Sequence, residues 1–401
     1  MMAFGMKFAN LLLLTLSLAL LSQIYIFIHI HHIIQSSHKS EYFKSWASLI
    51  VGVVIFLLFA LNLYFLFIPV RWPDPSRTVQ YVLFYPSAIW SLGSIFSALF
   101  LSFFQTTGAI GRTAAHIYRR LVGKETTGTV NAGRRHLLQA GLSGVAAAPL
   151  LLCGYGAAYA GRDCDVQALT LPFDRPLRAV QLTDIHAGIF MNRKEIRYYT
   201  DRAIALEPDI LLLTGDYISN SMSFLPECLE EIARVKTQYG TFATLGNHEH
   251  WYGTLNNIQA IFRRYDITLL NNINRVIHTG HGPFAIAGID DLRSGYPDLG
   301  AALHGLDKTI PKILLSHRPE IFPDAALEGI HLTLAGHYHG GQIKLHLPGG
   351  DFSLAHLRTP YVEGLFQIND SRLYVSRGIG TTFTPVRLNA PPEITLLYLK
   401  G

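Results

Sequence analysis

The chain has 401 residues, of which 49% are hydrophobic and only 15% are charged, whereas a soluble domain typically carries about 25% charged residues. The apolar content excludes a disordered chain, and a total of three cysteines excludes a disulfide scaffold. The net charge is +5, but the basic excess lies in the first third and the sequence from residue 141 onward is net negative, so we expect no nucleic-acid partner.

Three long apolar segments come first, at residues 11–30, 46–70 and 79–104. Because a bilayer core requires about 20 apolar residues per helix, they predict three transmembrane helices within residues 1–104. A basic loop is expected to follow at residues 105–136. Loops rich in Lys and Arg lie on the cytoplasmic side, so we place this loop in the cytoplasm.

A fourth apolar segment, residues 137–164, follows Arg134 and Arg135 and is rich in Gly and Ala. The stretch RRHLLQAGLSG resembles a twin-arginine export signal, and residues 158–160 (AYA) have the form of a signal-peptidase site. Two interpretations remain open, a retained fourth helix and a cleaved internal signal. We predict a multi-pass protein of a bacterial inner membrane whose C-terminal domain is extracytoplasmic.

From residue 165 to 401, short apolar runs alternate with helix-length polar segments, which is typical of strands alternating with helices. The apolar runs predict strands at 177–184, 209–215, 240–245, 267–270, 284–288, 312–316, 330–335, 342–346, 372–376 and 393–399. The polar segments predict helices at 192–206, 223–235, 254–265 and 298–304. We therefore expect one α/β domain, with its ligands beyond the carboxyl ends of the strands.

Five of these strands end in carboxylate, imidazole or amide side chains. They are Asp184 and His186, Asp216, Asn247 and His248, His317, and His337 and His339. Leaving so many buried polar groups without a partner costs about 1–3 kcal/mol each, and a pair of divalent metals would satisfy them together. The mixed nitrogen and oxygen ligands suit Mn, Fe, Zn or Co, and the absence of thiolates from the set disfavours a structural zinc site.

In order, these residues form the motifs D-x-H, G-D-x-x-D (in part), G-N-H-[DE], a lone His and G-H-x-H. This pattern, over residues 175–401, resembles the calcineurin-like metallophosphoesterase superfamily. The N-terminal apolar segments and the stretch SRGIGTTFTPVRLNAPPEITLLYL resemble its transmembrane branch. The resemblance implies an α/β fold class, with N-terminal transmembrane helices followed by a four-layer α/β metallophosphoesterase sandwich that binds two metal ions.

The resemblance also implies a role for each residue. Asp184, His186 and His339 would hold one metal, Asn247, His317 and His337 the other, and Asp216 both. His248 would be the catalytic histidine near the leaving group. A metal-bridging hydroxide would attack the phosphorus of a phosphodiester or pyrophosphate.

One position departs from the family pattern, because Ser219 stands where the second Asp of G-D-x-x-D is expected. In the family that Asp often orients the histidine of the G-N-H motif. Ser219 carries no charge, so we expect His248 to be less basic, or another acid to assist it.

By resemblance, the candidate substrates are UDP-2,3-diacylglucosamine of the lipid A pathway, phospholipid headgroups, cell-envelope phosphodiesters and nucleotides. The lipid A candidate is lipid-linked and is cleaved at its pyrophosphate bond. That chemistry is cytoplasmic, which conflicts with the predicted topology. The alternative is a non-catalytic membrane receptor or scaffold that uses the same fold, and it predicts purified protein without bound metal. A transporter is disfavoured because the first three apolar segments contain almost no charged residues. The oligomeric state is left open.

Overall fold

The computed structural model describes residues 2–67, 76–122, 132–159, 164–382 and 384–400. The chain divides into two compact units. The first consists of Met1–Ile68 and Tyr81–Tyr155, and the second of Pro69–Gln80 and Gly156–Gly401.

The N-terminal part of the chain is helical. Its helices are α1 (Met2–Gln35), α2 (Glu41–Phe67), α3 (Arg77–Val79), α4 (Tyr85–Val122, preceded by a π-helical turn at Gln80–Phe84) and α5 (Ala132–Tyr159). Within the described residues, three helices are long and apolar enough to cross a membrane, at Leu13–Gln35, Glu41–Tyr64 and Gln80–Leu121. The three predicted apolar helices are therefore present.

Residues 105–122 of the predicted basic loop are helical, because α4 continues without interruption to Val122, and residues 132–136 lie in α5. The cytoplasmic placement of this basic segment stays a prediction. Ala and Arg are among the best helix formers, and Arg119 and Arg120 in the last turn interact favourably with the helix dipole. Residues 123–131 lie outside the described part of the chain. Residues 137–159 of the fourth apolar segment are helical within α5, but the apolar stretch there, Ala147–Ala158, is short for a membrane span. Its retention or cleavage stays a prediction.

The second unit is built on two six-stranded sheets and a separate hairpin. The first sheet has the order β1-β14-β2-β3-β4-β5 and the second β12-β13-β9-β8-β7-β6. The strands are β1 (Asp165–Pro172), β2 (Leu177–Leu182), β3 (Ile210–Leu213), β4 (Thr241–Ala243), β5 (Thr268–Leu269), β6 (Ile273–Thr279), β7 (Gly282–Gly288), β8 (Lys312–Leu315), β9 (Leu332–Ala335), β10 (Leu345–Leu347), β11 (Gly350–Phe352), β12 (Gly364–Ile368), β13 (Ser371–Val375) and β14 (Glu393–Lys400). The hairpin pairs β10 with β11.

Helices cover the outer face of each sheet. They are α6 (Arg193–Ala205), α7 (Leu225–Ile232), α8 (Asn247–Tyr252), α9 (Leu255–Arg264), α10 (Leu299–Leu303) and α11 (Phe322–Leu327). Apolar residues of both sheets, among them Leu212 and Phe284, form the core between them. Three further sets of apolar contacts hold the helices: one joins α6, α7 and α9 to the first sheet, and two join α10 and α11 to the second. The result is the expected four-layer α/β sandwich.

Strands β2 to β5 are parallel, as are β7, β8, β9 and β13. Their carboxyl ends therefore meet at one edge of the sandwich. The central strands are buried on both faces, which explains why runs such as ILLL at 210–213 are continuously apolar rather than alternating.

The sequence missed β1, β6, β11 and β12, and the strand that it placed at 342–346 overlaps only the first two residues of β10. β1 pairs with β14 at the other end of the domain, a long-range pairing that local sequence does not reveal. The short helices α8 and α11 were also missed, because each has too few residues to show a helical period.

Candidate metal centre

The loops after β2, β3 and β9 adopt unusual backbone conformations. Five of the polar residues there have positive φ: Asp184 (52°), His186 (51°), Asp216 (54°), His337 (74°) and His339 (52°). Such conformations cost about 1–3 kcal/mol each for residues other than glycine and concentrate at functional sites. The fold therefore holds these side chains in place at an energetic cost.

Two glycines let the loops approach one another closely. A Cβ atom on Gly246 would lie 2.1 Å from Asp216 Oδ1, and one on Gly336 would lie 2.1 Å from Asp184 Oδ2. Only glycine fits at either position, so the G-N-H and G-H-x-H motifs need their glycines for space.

Asp184, His186 and His339 form a first group of buried ligand atoms, all within 4.8 Å of one another. His186 Nε2 lies 3.1 Å from His339 Nε2, which is 3.5 Å from Asp184 Oδ1. The Asp184 carboxylate is oriented by the main-chain N–H of His337 and the hydroxyl of Thr183.

Asp216, His317 and His337 form a second group, whose ligand atoms also lie within 4.8 Å of one another. His317 Nε2 lies 3.2 Å from Asp216 Oδ2, 3.2 Å from Asn247 Oδ1 and 3.1 Å from His337 Nδ1. The other ring nitrogen of His317 donates to the Thr214 carbonyl at 2.8 Å, which fixes the ring orientation.

Asp216 stands between the two groups. Its Oδ2 lies 3.6 Å from His186 Nε2 of the first group and 3.2 Å from His317 Nε2 of the second. Its Oδ1 accepts the main-chain N–H of His248 at 2.9 Å. A carboxylate in this position can face two metal ions at once.

Burial sets the protonation of the imidazoles. It lowers the pKa of His186 to about 3, together with the nearby charge of His248, and it lowers the pKa values of His337 and His339 well below their usual range. Neutral imidazole is the form that binds metal.

The pKa values of the two carboxyl groups and of His317 depend on one another. Burial raises the pKa of Asp184 to about 6. Burial would also raise the pKa of Asp216, but the adjacent His317 and His248 hold it well below its usual range. Burial would lower the pKa of His317, but the Asp216 carboxylate raises it to about 10.

His248 lies on the edge of the centre at the start of α8. Its Nδ1–H donates to the main-chain carbonyl of Ser219 at 2.5 Å, and its Nε2 lies 3.9 Å from Asp216 Oδ2. The ring packs against Trp251, with centroids 4.6 Å apart. Residue 219 thus orients His248 through its backbone, a contact that does not depend on the missing Asp side chain.

Sequence reasoning gave Glu249 no role, but the structure does. This fully buried carboxylate accepts the main-chain N–H groups of Gly246, Asp216, Tyr217 and Ile218, at 2.8–3.2 Å. It ties the loop of Asp216 to the loop of Asn247. The acidic residue in the G-N-H-[DE] motif was the available signal.

Two arginines also contact the predicted ligands. Arg318 donates to Asn247 Oδ1 at 3.0 Å and to His337 Nε2, and is itself held by Asp291 at 2.8 Å. Arg387 lies 3.3 Å from His339 Nδ1 and donates to several surrounding carbonyls. Arg318 follows His317 directly in the sequence, and Arg387 lies within the stretch SRGIGTTFTPVRLNAPPEITLLYL, so both had an available signal, whereas Asp291 stands in no motif used above.

Residues 177–341 match the family described as calcineurin-like phosphoesterase. The chain is 30% identical over 287 residues to the uncharacterized metallophosphoesterase YkuE of Bacillus subtilis, covering 67% of this chain and 98% of that protein. This chain belongs to the calcineurin-like metallophosphoesterase family. It is accordingly a metal-dependent phosphoester hydrolase by family.

Two other relatives extend the likeness. A bovine transmembrane protein with metallophosphoesterase domain is 31% identical over 247 residues, which are 57% of this chain and 54% of that protein. The phosphodiesterase YaeI of Escherichia coli is 31% identical over 227 residues, 56% of this chain and 82% of that protein. The first places this family member in the transmembrane branch.

The donor set fits divalent metals. His186 Nε2 and His339 Nε2 face each other at 3.1 Å, beside the oxygens of Asp184 and Asp216. Two neutral imidazoles with converging lone pairs repel each other unless a cation or a proton lies between them. Carboxylate, imidazole and amide donors that converge in this way satisfy first-row divalent ions.

Proposed function

We propose that this metallophosphoesterase is anchored in a membrane and hydrolyses phosphodiester or pyrophosphate bonds with two divalent metal ions. The single observation that supports two ions is the position of Asp216, whose Oδ2 lies 3.6 Å from His186 Nε2 of the first group and 3.2 Å from His317 Nε2 of the second. Asp184, His186 and His339 would hold one ion, and Asn247, His317 and His337 the other. Mn, Fe, Zn and Co all suit these donors.

Bound metals would polarise the phosphoryl oxygens and lower the pKa of water. The protein supplies the rest. Buried, neutral His186, His337 and His339 offer lone pairs without first losing a proton. Thr183 orients Asp184, and Arg318 orients Asn247 Oδ1, so the donors are positioned before any ligand binds.

We assign His248 as the proton donor to the leaving oxygen. The Nδ1–H is engaged by the Ser219 carbonyl, so Nε2 is the nitrogen that faces the centre and can carry the proton. Contact with the Trp251 ring limits rotation of the imidazole. Protonating the leaving oxygen as the bond to phosphorus breaks is general acid catalysis.

The proposed substrate is lipid-linked, because the same chain carries three helices able to span a membrane. The name phosphodiesterase, which one relative carries, supports phosphodiesters rather than phosphomonoesters as the proposed substrates. UDP-2,3-diacylglucosamine of the lipid A pathway is one candidate with a pyrophosphate bond. The proposed location is a bacterial inner membrane, with the catalytic domain extracytoplasmic.

The test uses the full chain purified in detergent. Its metal content is measured by mass spectrometry, and it is then assayed with a chromogenic phosphodiester, a phosphomonoester and a lipid-linked pyrophosphate. We expect up to two ions per chain and hydrolysis of the diester or pyrophosphate that requires them. Protein that binds no metal and hydrolyses none of the three would overturn the proposal and favour the receptor or scaffold.

Topology is tested separately with reporter fusions at residue 401. An extracytoplasmic reporter supports the proposed orientation. A cytoplasmic one overturns it and strengthens the lipid A candidate, whose chemistry takes place on that side.

A further inference from the structure

The β10–β11 hairpin follows closely after the His339–Gly341 turn and has two different faces. In its antiparallel register Leu345 lies opposite Phe352, and His346 lies opposite Asp351. Because side chains alternate along a strand, Leu345, Leu347 and Phe352 share one face. His346 and Asp351 form an ion pair at 2.5 Å on the other. The hairpin is an amphipathic ribbon.

The apolar face is open to solvent. Leu345 and Leu347 are each 50% exposed and Phe352 is 36% exposed. The 3₁₀ turn that follows adds Leu354 at 68% and Leu357 at 73%. We call these five residues the apolar hairpin surface. Large apolar side chains that are exposed together on a short segment typically mark an interaction surface.

This surface contributes little to holding the hairpin on the domain. The attachment is polar, because buried Lys344 forms an ion pair with Glu363 and lies 3.7 Å from Asp351. The buried side chain of Ser353 lies close to the backbone of Gly341, where a Cβ atom would not fit. These polar contacts hold the base of the hairpin on the domain, and the exposed leucines are not needed for this attachment. The apolar side chains are available to a partner.

The bilayer is the partner that the chain itself brings. Three helices of this chain are long and apolar enough to span a membrane, so a lipid surface is always close to the phosphoesterase unit. Gln80, the first residue of the third such helix, belongs to the phosphoesterase unit and donates to the Ile189 carbonyl at 3.2 Å. Ile189 follows His186 by three residues, so this contact within the phosphoesterase unit reaches the loop that carries His186.

We propose that the apolar hairpin surface inserts into the lipid interface. Interfacial amphipathic elements bury their apolar face about 5–10 Å into the boundary between headgroups and acyl chains. Because β10 begins shortly after the turn that carries His339, insertion would bring the edge of the metal centre to headgroup level. The centre would then receive phosphoesters from lipid headgroups in preference to soluble ones. The insertion itself does not depend on the proposed reaction.

The test is a fluorescence measurement on the full chain in lipid nanodiscs. Leu347→Cys is labelled with the environment-sensitive dye NBD, and the nanodiscs carry phosphatidylcholine with a nitroxide at a shallow or a deep acyl position. Cys153, Cys164 and Cys228 are all buried, so the dye is expected to react with the introduced thiol. Labelling of the parent protein under the same conditions measures any reaction of these three native cysteines. Metal content verifies that the labelled protein is folded.

Leu327→Cys is the matched control. Leu327 is also a highly exposed leucine, at 86%. It is the last residue of α11, which starts five residues after His317 and ends shortly before the first residue of β9. It therefore lies on the domain away from the carboxyl edge of the sheets.

We expect NBD at residue 347 to lose most of its fluorescence with the shallow nitroxide and less with the deep one, while NBD at residue 327 loses little with either. Equal, weak quenching at both positions would overturn the proposal. A blue-shifted emission at residue 347 without quenching would also overturn it and indicate a protein, such as a second copy of this chain, as the partner.

Discussion

Two buried carboxylates in the phosphoesterase unit, Asp216 and Glu231, have very different surroundings. Glu231 is fully buried on α7 and accepts charged hydrogen bonds from Arg193, Arg197 and Arg234, at 2.7–3.2 Å. Asp216 is 2% exposed, and its charged neighbours are imidazoles rather than guanidinium groups.

The difference separates a structural ion cluster from a functional one. Around Glu231 the protein supplies all the positive charge, and the residue lies in a regular helix. Around Asp216 the polar residues of the neighbouring loops have positive φ, and imidazole nitrogens converge, with His186 Nε2 lying 3.1 Å from His339 Nε2. Converging imidazole and carboxylate groups on loops with strained backbone are the arrangement expected of a functional site.

The largest expected effect comes from Asp216→Asn. Loss of the shared carboxylate is expected to lower the bound metal and to reduce hydrolysis by about 10³-fold or more, because metal binding supplies several kcal/mol of transition-state stabilisation. Metal content and turnover are measured together. Glu231→Gln is the matched control and keeps both. An Asp216→Asn protein with full metal occupancy and activity contradicts the bridging role.

Removal of the proposed acid in His248→Gln is expected to reduce kcat by about 10²–10⁴-fold without loss of metal. The loss is expected to be smallest for esters with good leaving groups, which need no proton. His281→Gln, in the exposed turn between β6 and β7, is the control. Equal losses for good and poor leaving groups would argue against proton donation.

A smaller loss of metal binding is expected for Arg318→Lys. Lysine keeps the positive charge but cannot donate to Asp291 and Asn247 together, as the planar guanidinium does. Metal affinity is expected to fall about 10–100-fold, the usual cost of losing a residue that orients a ligand. Titration of apo-protein with Mn²⁺ or Zn²⁺ measures it, with Arg178→Lys as the control. Unchanged affinity would show that Arg318 does not position the ligand.

The smallest effect is on stability. Hydrogen bonds from Arg197 and Arg193 lower the pKa of Glu231 to about 2, from 4.5. The ionised carboxylate therefore stabilises the fold fully above about pH 4.5, and this contribution is lost as the pH falls toward 2. Glu231→Gln is expected to lower stability at neutral pH by on the order of 1 kcal/mol, since the arginines are partly exposed.

Thermal unfolding in detergent between pH 2 and pH 7 measures this effect. The variant and the parent protein are expected to converge at the acid end of the range. A constant difference across that range would show that Glu231 contributes through packing rather than charge.

Local signals were sufficient for the central strands. The run LLL before Gly215 is apolar because β3 is buried on both faces, and a continuous apolar run bounded by glycine predicts such a strand. The same local reading failed at residues 105–122, because basic residues were taken as a loop although they are good helix formers. It failed at β1 because the partner strand, β14, is more than 200 residues away.

By itself the sequence determined the apolar helices, the alternation of strands and helices, and the eight polar residues at the strand ends, because periodicity and motif spacing are local properties. Only the tertiary structure decided which of those residues meet. Asp216 stands between two groups of donors, Ser219 orients His248 through its carbonyl, and Arg318, Arg387 and Glu249 contact the predicted ligands or their loops. Such contacts join loops that are far apart in the chain, and they depend on how two sheets bring the carboxyl ends of their strands to one edge.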